Sequence, residues 1–297
     1  MQSSVAALLE DPAPGLEILP FPDDIAADPR AGEVELIVLG FGPTISEGWE
    51  HLHSLRVVQM PSAGVDSVIG SLPRDDVVLC SARGAYDVAV AEWVVGAILA
   101  GQKELPFYRD EQVAGRWTRH PMRDISGSTV LFVGHGSIAR AAEARLESFG
   151  VQFLRIARRP RAGVQALEEL PALASRADVV VALLPLTEAT RGMLDGRFFS
   201  SMKHGALFVN AGRGAVVDHE ALLEMLQAER IRAVIDVTDP EPLPEAHPLW
   251  HAPGLLITPH NSGDTARSHA NVFTFLREQL ARFAAGQPLD NVVEAGY

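Results

Sequence analysis

Thr129-Val130-Leu131-Phe132-Val133-Gly134-His135-Gly136-Ser137-Ile138-Ala139 is the stretch on which the fold turns. A short apolar run of buried-strand type passes directly into Gly-x-Gly-x-x-Ala. Beyond it Ile138, Ala142, Leu146 and Phe149 recur at helical spacing, and Gly150 supplies a stop. In this strand–turn–helix context each small residue has a task. Gly134 permits the tight turn, Gly136 lets backbone amides approach a pyrophosphate, and Ala139 lets the helix pack on the strand. The helix start at Ser137 and Ile138 then offers partial positive charge to phosphates. The pattern predicts dinucleotide binding.

Working outward, the same alternation recurs on both sides. Strand candidates precede the loop at Glu35–Leu39, Arg56–Gln59 and Val77–Cys80. They follow it at Val151–Ile156, Asp178–Leu183, Ala206–Val209, Ala233–Asp236 and Leu255–Thr258. Continuous apolar strands separated by helical patterns imply parallel sheets covered on both faces. Two long helices flank the central series, one from about Asp87 to Ala100 and one from about Asp264 to Ala285. Asp87 is a candidate N-cap, Gly101 a candidate stop, and Gly286 with Pro288 ends the second helix. The expected organisation is discontinuous: residues 87–264 form a dinucleotide-binding domain, and residues 1–86 with 265–297 form a substrate domain. The polar segment Phe107–Arg123, with Trp117, has no clear period and reads as an arm or loop, a candidate oligomer contact. Glu92 stands on an otherwise apolar helix, which is costly if buried and unpaired, so a hinge or interdomain role suggests itself.

Composition narrows the partners. The 297 residues carry 38 acidic and 25 basic side chains, a net charge of −13, which disfavours a nucleic-acid binder. The single cysteine, Cys80, forms neither an internal disulfide nor a zinc cage and reads as a buried core residue, consistent with a reducing compartment. The start MQSSVAALLEDPAP lacks signal-peptide character, and the longest apolar stretch, Val88–Ala100, is too short and too charged to span a bilayer. A cytoplasmic protein without a membrane partner is expected.

The strand Val151–Ile156 ends where an acidic residue would bind the 2′-hydroxyl of NAD. The chain instead reads Ala157-Arg158-Arg159-Pro160-Arg161. Guanidinium groups here favour a 2′-phosphate, so NADP is expected over NAD, with Arg158 on the phosphate and Arg159 stacked on adenine.

Three segments at later strand ends carry chemistry: Val209-Asn210-Ala211-Gly212-Arg213-Gly214, then Ile235-Asp236-Val237-Thr238-Asp239-Pro240-Glu241-Pro242-Leu243-Pro244, then Thr258-Pro259-His260. With Ser62-Ala63-Gly64-Val65-Asp66, Ala91-Glu92-Trp93, the glycine loop and Leu184-Pro185-Leu186-Thr187, they resemble the D-isomer-specific 2-hydroxyacid dehydrogenases, glyoxylate/hydroxypyruvate reductase-like, over nearly the whole chain. The resemblance implies two doubly wound parallel-sheet α/β domains, a Rossmann nucleotide domain inserted into a flavodoxin-like substrate domain. It implies a catalytic Arg213, Glu241 and His260, further cofactor contacts at Leu184, Pro185, Ala211, Asp236 and Gly263, and substrate contacts from the Ala63 and Gly64 amides. It also implies a homodimer formed through the arm near Trp117.

The chemistry agrees with that assignment. Reduction of a 2-keto acid needs a planar cation for the substrate carboxylate, which Arg213 supplies. It needs a proton donor that titrates near the working pH, which His260 supplies. Glu241 would orient the imidazole and favour its protonated form. For Asp236 a structural cap competes with a contact to the nicotinamide carboxamide. Thr238 and Asp239 depart from the family's usual residues beside the glutamate, and His135 is an unusual polar residue in the glycine loop. Formate dehydrogenases pair the histidine with Gln, so Glu241 argues against them. A non-catalytic dinucleotide-sensing protein of the same fold is the alternative from another class. A metal enzyme is disfavoured because His247, His251 and His260 lie in a turn-rich, proline-interrupted segment.

Overall fold

The computed structural model describes residues 14–20, 24–40 and 48–293. The first thirteen residues, read above as lacking leader character, lie outside the described residues. The chain divides into two compact units, Met1–Tyr86 with Asp264–Tyr297 and Asp87–Gly263.

In the first unit β1 (Leu36–Val38), β2 (Val57–Gln59) and β3 (Val78–Cys80) form a parallel sheet in that order. Leu55, Val58, Val65 and Leu79 build the core on it. The long C-terminal helix, Ala266–Ala284, packs Val272, Leu276 and Leu280 with Ala82 and Ala85. Its buried Gln279 donates to Gln59 Oε1 (3.0 Å) and accepts from the Asp290 amide (2.8 Å), which ties the helix and the chain after it to β2. Cys80 is buried and free of any disulfide, and burial pushes its thiol up to about 11.

The second unit opens with α1 (Asp87–Gln102) and α2 (Leu105–Val113). A six-stranded parallel sheet follows, in the order β5-β4-β6-β7-β8-β9, made of β4 (Thr129–Val133), β5 (Gln152–Ile156), β6 (Val179–Ala182), β7 (Leu207–Asn210), β8 (Arg232–Ile235) and β9 (Leu255–Ile257). The two central strands β6 and β7 are buried at every residue, as a sheet covered on both faces requires, whereas the edge strand β9 is only half-buried. The strand order reverses at β4, with β5 on one side and β6 on the other. Such a switch point opens a crevice at the carboxyl ends of the strands. The remaining helices are α3 (Ser137–Leu146), α4 (Leu170–Ala174), α5 (Gly196–Ser201) and α6 (His219–Gln227), with Ala266–Ala284 as α7.

Three expectations need correction. The segment 107–123 does not run as a loop throughout: its first part belongs to α2, started by Pro106 in its first turn, and only the chain after Gly115 is an irregular arm. Gly101 does not stop α1. It lies inside the helix, where a Cβ would meet Leu207 side-chain atoms at 2.7 Å, so it is a close-packing position. The end of α1 is held by Arg232 of β8, which donates to Gly101 O and, at 2.8 Å, to Gln102 Oε1. Glu92 is exposed and faces Arg145 at 3.5 Å, so its position on an apolar helix carries no burial penalty. Among the described residues no helix is long and apolar enough to cross a membrane.

Candidate active site

The glycine loop leaves β4 at Gly134, whose φ of 96° suits glycine and whose Cβ position would meet Leu183 O at 2.5 Å. At Gly136 a Cβ would meet nothing within 4 Å, so the loop is open on that side. Gly136 caps α3 with no side-chain hydrogen bond, and the first amides of the helix are left for another acceptor. Ala139 is buried where the helix meets the strand. These features fit a dinucleotide pyrophosphate: an open approach, a close-packed turn and a helix N-terminus aimed at it. Ser137 Oγ donates to Asp87 Oδ1 at 3.0 Å, so Asp87 anchors the phosphate loop to the start of α1. Ile138 is half-buried beside it.

Across the switch point Leu184 is buried and Pro185 is exposed, with Pro185 O accepting from Thr190 Oγ1 at 2.7 Å. The Ala211 amide donates to Ala182 O at 3.2 Å, carrying β7 into its terminal loop alongside β6. Arg158 and Arg159 are exposed on the loop after β5.

The chemistry-bearing segments meet at the ends of β7, β8 and β9. Asn210 is fully buried; its Oδ1 accepts from the Gly212 amide (3.0 Å) and its Nδ2 donates to Arg213 O (3.2 Å). This clamp fixes the backbone that carries Arg213, whose Nη1 also donates to Gly212 O at 2.9 Å. At Gly214 a Cβ would lie 1.8 Å from Thr238 O, so only glycine lets the arginine loop pass the loop after β8.

Asp236 is buried, and its carboxylate accepts from Thr258 Oγ1 (2.5 Å), the Asn261 amide (3.0 Å) and the Ser262 amide (2.9 Å). Its carbonyl accepts from the His260 amide at 2.7 Å. These bonds match the capping reading of Asp236: it secures the loop that presents His260. Gly263, half-buried, closes that loop at the unit boundary.

Glu241 Oε2 accepts from His260 Nδ1 at 2.8 Å, and Glu241 Oε1 accepts from the Thr238 amide at 2.8 Å. With Nδ1–H committed to the carboxylate, Nε2 is the nitrogen left to exchange a proton, and half of the ring is exposed. The hydrogen bond to Glu241 raises the His260 pKa above the ordinary imidazole value; burial and the Arg213 charge oppose it without reversing it. Burial is the largest influence on Glu241 and disfavours its charge. The His260 and Thr238 hydrogen bonds, with the charges of His260 and Arg213, outweigh it and hold the carboxyl below its ordinary range. Arg213, Glu241 and His260 thus feel one another electrostatically. Such a set can bind an anion, hold a proton on Nε2 and deliver it to an oxygen.

In the other unit the loop of Ala63 and Gly64 is tightened by Ser62 Oγ donating to Gly64 O at 2.6 Å. Sequence reading did not find the Asn210 clamp or the Asp87–Ser137 anchor. The anchor has no local pattern, since it joins the starts of two helices fifty residues apart, whereas the clamp is local, an asparagine bonding to the amide two residues on, and the Asn-Ala-Gly-Arg order was its available signal. Among the described residues no cluster of three or more His, Cys, Asp or Glu side chains could hold a metal ion.

Residues 95–262 match the family described as D-isomer specific 2-hydroxyacid dehydrogenase, NAD binding domain. The glyoxylate reductase/hydroxypyruvate reductase of Homo sapiens is 34% identical over 253 residues, spanning 80% of this chain and 76% of that protein. Among solved structures, a D-isomer specific 2-hydroxyacid dehydrogenase family protein from Aeromonas salmonicida is 32% identical, with a TM-score of 0.84 over 99% of this chain and 96% of that one. The NADPH-dependent glyoxylate/hydroxypyruvate reductase of Sinorhizobium meliloti, solved with NADP and sulfate, is 28% identical, with a TM-score of 0.85 over 100% of this chain and 97% of that one.

Proposed function

The chain belongs to the D-isomer-specific 2-hydroxyacid dehydrogenases, NAD(P)-dependent oxidoreductases, and from that premise we propose that it reduces a small 2-keto acid to the D-2-hydroxy acid with NADPH favoured over NADH. The observation that carries the reading is the 2.8 Å bond from His260 Nδ1 to Glu241 Oε2, at the carboxyl ends of the same parallel sheet whose β4 runs into the glycine loop. When bound, a nicotinamide cofactor would supply the hydride for C2 of the substrate. Arg213 binds the substrate carboxylate through its planar fork. His260 Nε2 delivers the proton to the carbonyl oxygen, and Glu241 holds the ring in the required tautomer and stabilises its charge. In the oxidative direction the same nitrogen accepts the proton.

Gly134, Gly136, Ser137 and Ile138 hold the pyrophosphate, with Leu184, Pro185, Ala211, Asp236 and Gly263 lining the rest of the cofactor path. Support for NADPH comes from the missing acid after β5, where Arg158 and Arg159 stand exposed. Glyoxylate and hydroxypyruvate are the first substrates to try, given the names of the human and Sinorhizobium relatives. We further propose a homodimer contacting through the arm that bears Trp117, and a cytoplasmic location.

The test is oxidation of NADPH and, in parallel, NADH with a panel of 2-keto acids led by those two. Turnover with an NADPH preference supports the reading. An NADH preference keeps the chemistry and removes the cofactor assignment. Tight cofactor binding without turnover of any keto acid overturns the catalytic proposal.

A further inference from the structure

His135 occupies the variable position between the two loop glycines, and its side chain is only 8% exposed. Its Nε2 lies 2.9 Å from Glu143 Oε2 on α3, and its Nδ1 lies 3.0 Å from Arg161 Nη2. The same Nη2 donates to His135 O at 2.8 Å. A guanidinium has donors and no acceptor, so Nδ1 must be the accepting nitrogen and Nε2 must carry the hydrogen given to Glu143. One tautomer satisfies every contact, and it is neutral. Glu143 is itself fixed by Arg155 of β5, whose Nε donates to Oε2 at 2.9 Å. The backbone of Arg161 exchanges two hydrogen bonds with Val164, at 3.1 and 2.8 Å. Main chain and guanidinium are therefore both anchored, and the side chain is drawn from the exposed loop after β5 to the glycine loop. In this topology the adenosine ribose binds between those two loops. With Nη2 engaged, the Nε and Nη1 donors remain for an anion.

We propose that His135 is a positioning residue that holds Arg161 to receive the 2′-phosphate of NADP, adding Arg161 to the arginines that read it. The proposal rests on the NADPH reading above. It makes that recognition depend on a neutral imidazole, because a second proton would occupy Nδ1 and face the guanidinium. The charged groups around the ring are Glu143 from α3, Arg155 from β5 and Arg161 from the following loop. Burial lowers the His135 pKa most; Glu143 opposes this, and the two arginines add to it. The accepting form therefore prevails near neutral pH and is lost in acid.

The experiment compares KM for NADPH with KM for NADH on the full chain. His135→Phe keeps a ring of similar size and removes the acceptor, and it should raise the KM(NADPH)/KM(NADH) ratio about tenfold, the loss of one charge-assisted hydrogen bond. His135→Asn, whose Oδ1 stands where Nδ1 stood, should restore most of the selectivity. Arg161→Gln should raise the ratio similarly, and adding His135→Phe to it should change little further. In the wild type the ratio should rise with acidity more steeply than in His135→Phe, whose remaining slope is the titration of the cofactor phosphate itself. If the wild type prefers NADPH and His135→Phe retains that preference, the role of His135 is overturned and the NADPH reading survives. Equal losses with both cofactors would mean general loop damage and also overturn it. A wild type that prefers NADH removes both.

Discussion

His260 is held at a φ of 51°, a left-handed conformation that few residues other than glycine adopt. The Asp236 carboxylate over-determines the loop around it, binding Thr258, Asn261 and Ser262, so the imidazole is presented by rigid backbone. If His260 is the proton donor, His260→Ala should lower kcat by about 10²- to 10⁴-fold while leaving cofactor Kd nearly unmoved; normal turnover would remove the assignment. Arg213→Lys should also be damaging, because a point charge does not reproduce the two-pronged contact with a carboxylate, and an unchanged kcat/KM would exclude that contact. Glu241→Gln separates charge from shape. The Glu241 hydrogen bond is the main reason that His260 holds its proton above the ordinary imidazole range. With Gln in its place, burial and Arg213 pull the pKa down against only the smaller opposing effect of the Asp236 charge. Reduction needs the protonated ring, so its rate is full below the His260 pKa and falls as pH rises through it. The high-pH limb of kcat/KM for the keto acid should therefore move to lower pH in the Gln variant. A limb left in place would mean that another group controls it. This much of the site was legible from residue types and order. The second anchor of Glu241, the Thr238 amide, was not, because a backbone donor leaves no mark in the sequence.

At the scale of elements, the strands were legible almost to the residue, because β-branched runs in a sheet buried on both faces have few alternatives. β4 begins and ends where its pattern does, and the loop after it keeps the glycine geometry that the motif demands. The helix α2 was hidden. It is short and polar, and among its residues only Glu111 is fully buried, held there by Arg116 and Thr118, so no apolar period marks it. Gly101 misled for a related reason: a glycine that stops a helix and one that lets a strand side chain approach look alike in sequence. The same ambiguity covers Gly214, where the distances decide it. A Cβ there would overlap the Thr238 carbonyl of the neighbouring loop, a backbone atom that cannot rotate away. Gly214→Ala should therefore push the Arg213 loop from the loop carrying Glu241. The expected result is a loss of at least about tenfold in kcat/KM with a lowered Tm, since both overpacking and a misplacement near 1 Å are costly. Wild-type kinetics in that variant would show that the two loops have room to part. The network around His135 was equally invisible at this scale, because Glu143, Arg155 and Arg161 converge on it only once α3, β5 and the following loop are in place.

For the molecule as a whole, the surface around the arm poses a physical problem that a second copy would solve. Leu105 is 55% exposed, Val113 70%, Trp117 94% and Met122 50%, all within eighteen residues of one segment. Single exposed apolar residues are ordinary, but a tryptophan almost wholly in water on the same short segment as three more large exposed apolar side chains has the composition of an interface centre. The arm is nonetheless built to keep its shape. Arg116 and Thr118 bind Glu111, and Tyr108 stacks on His120 with centroids 5.3 Å apart. A segment ordered before it binds loses less entropy on association. The proposed dimer should therefore have a solution mass twice the 32.0 kDa of the chain at micromolar concentration, by sedimentation or light scattering. Trp117→Asp should weaken it by about a hundredfold or more in Kd, since a central tryptophan contributes at least about 2 kcal/mol and a buried carboxylate adds a desolvation cost. Because Trp117 has little contact with its own chain, folding should be unaffected, with far-UV circular dichroism unchanged. A monomeric wild type would refute the dimer outright. A dimer untouched by Trp117→Asp would move the interface to another face and leave the exposed tryptophan for a different partner.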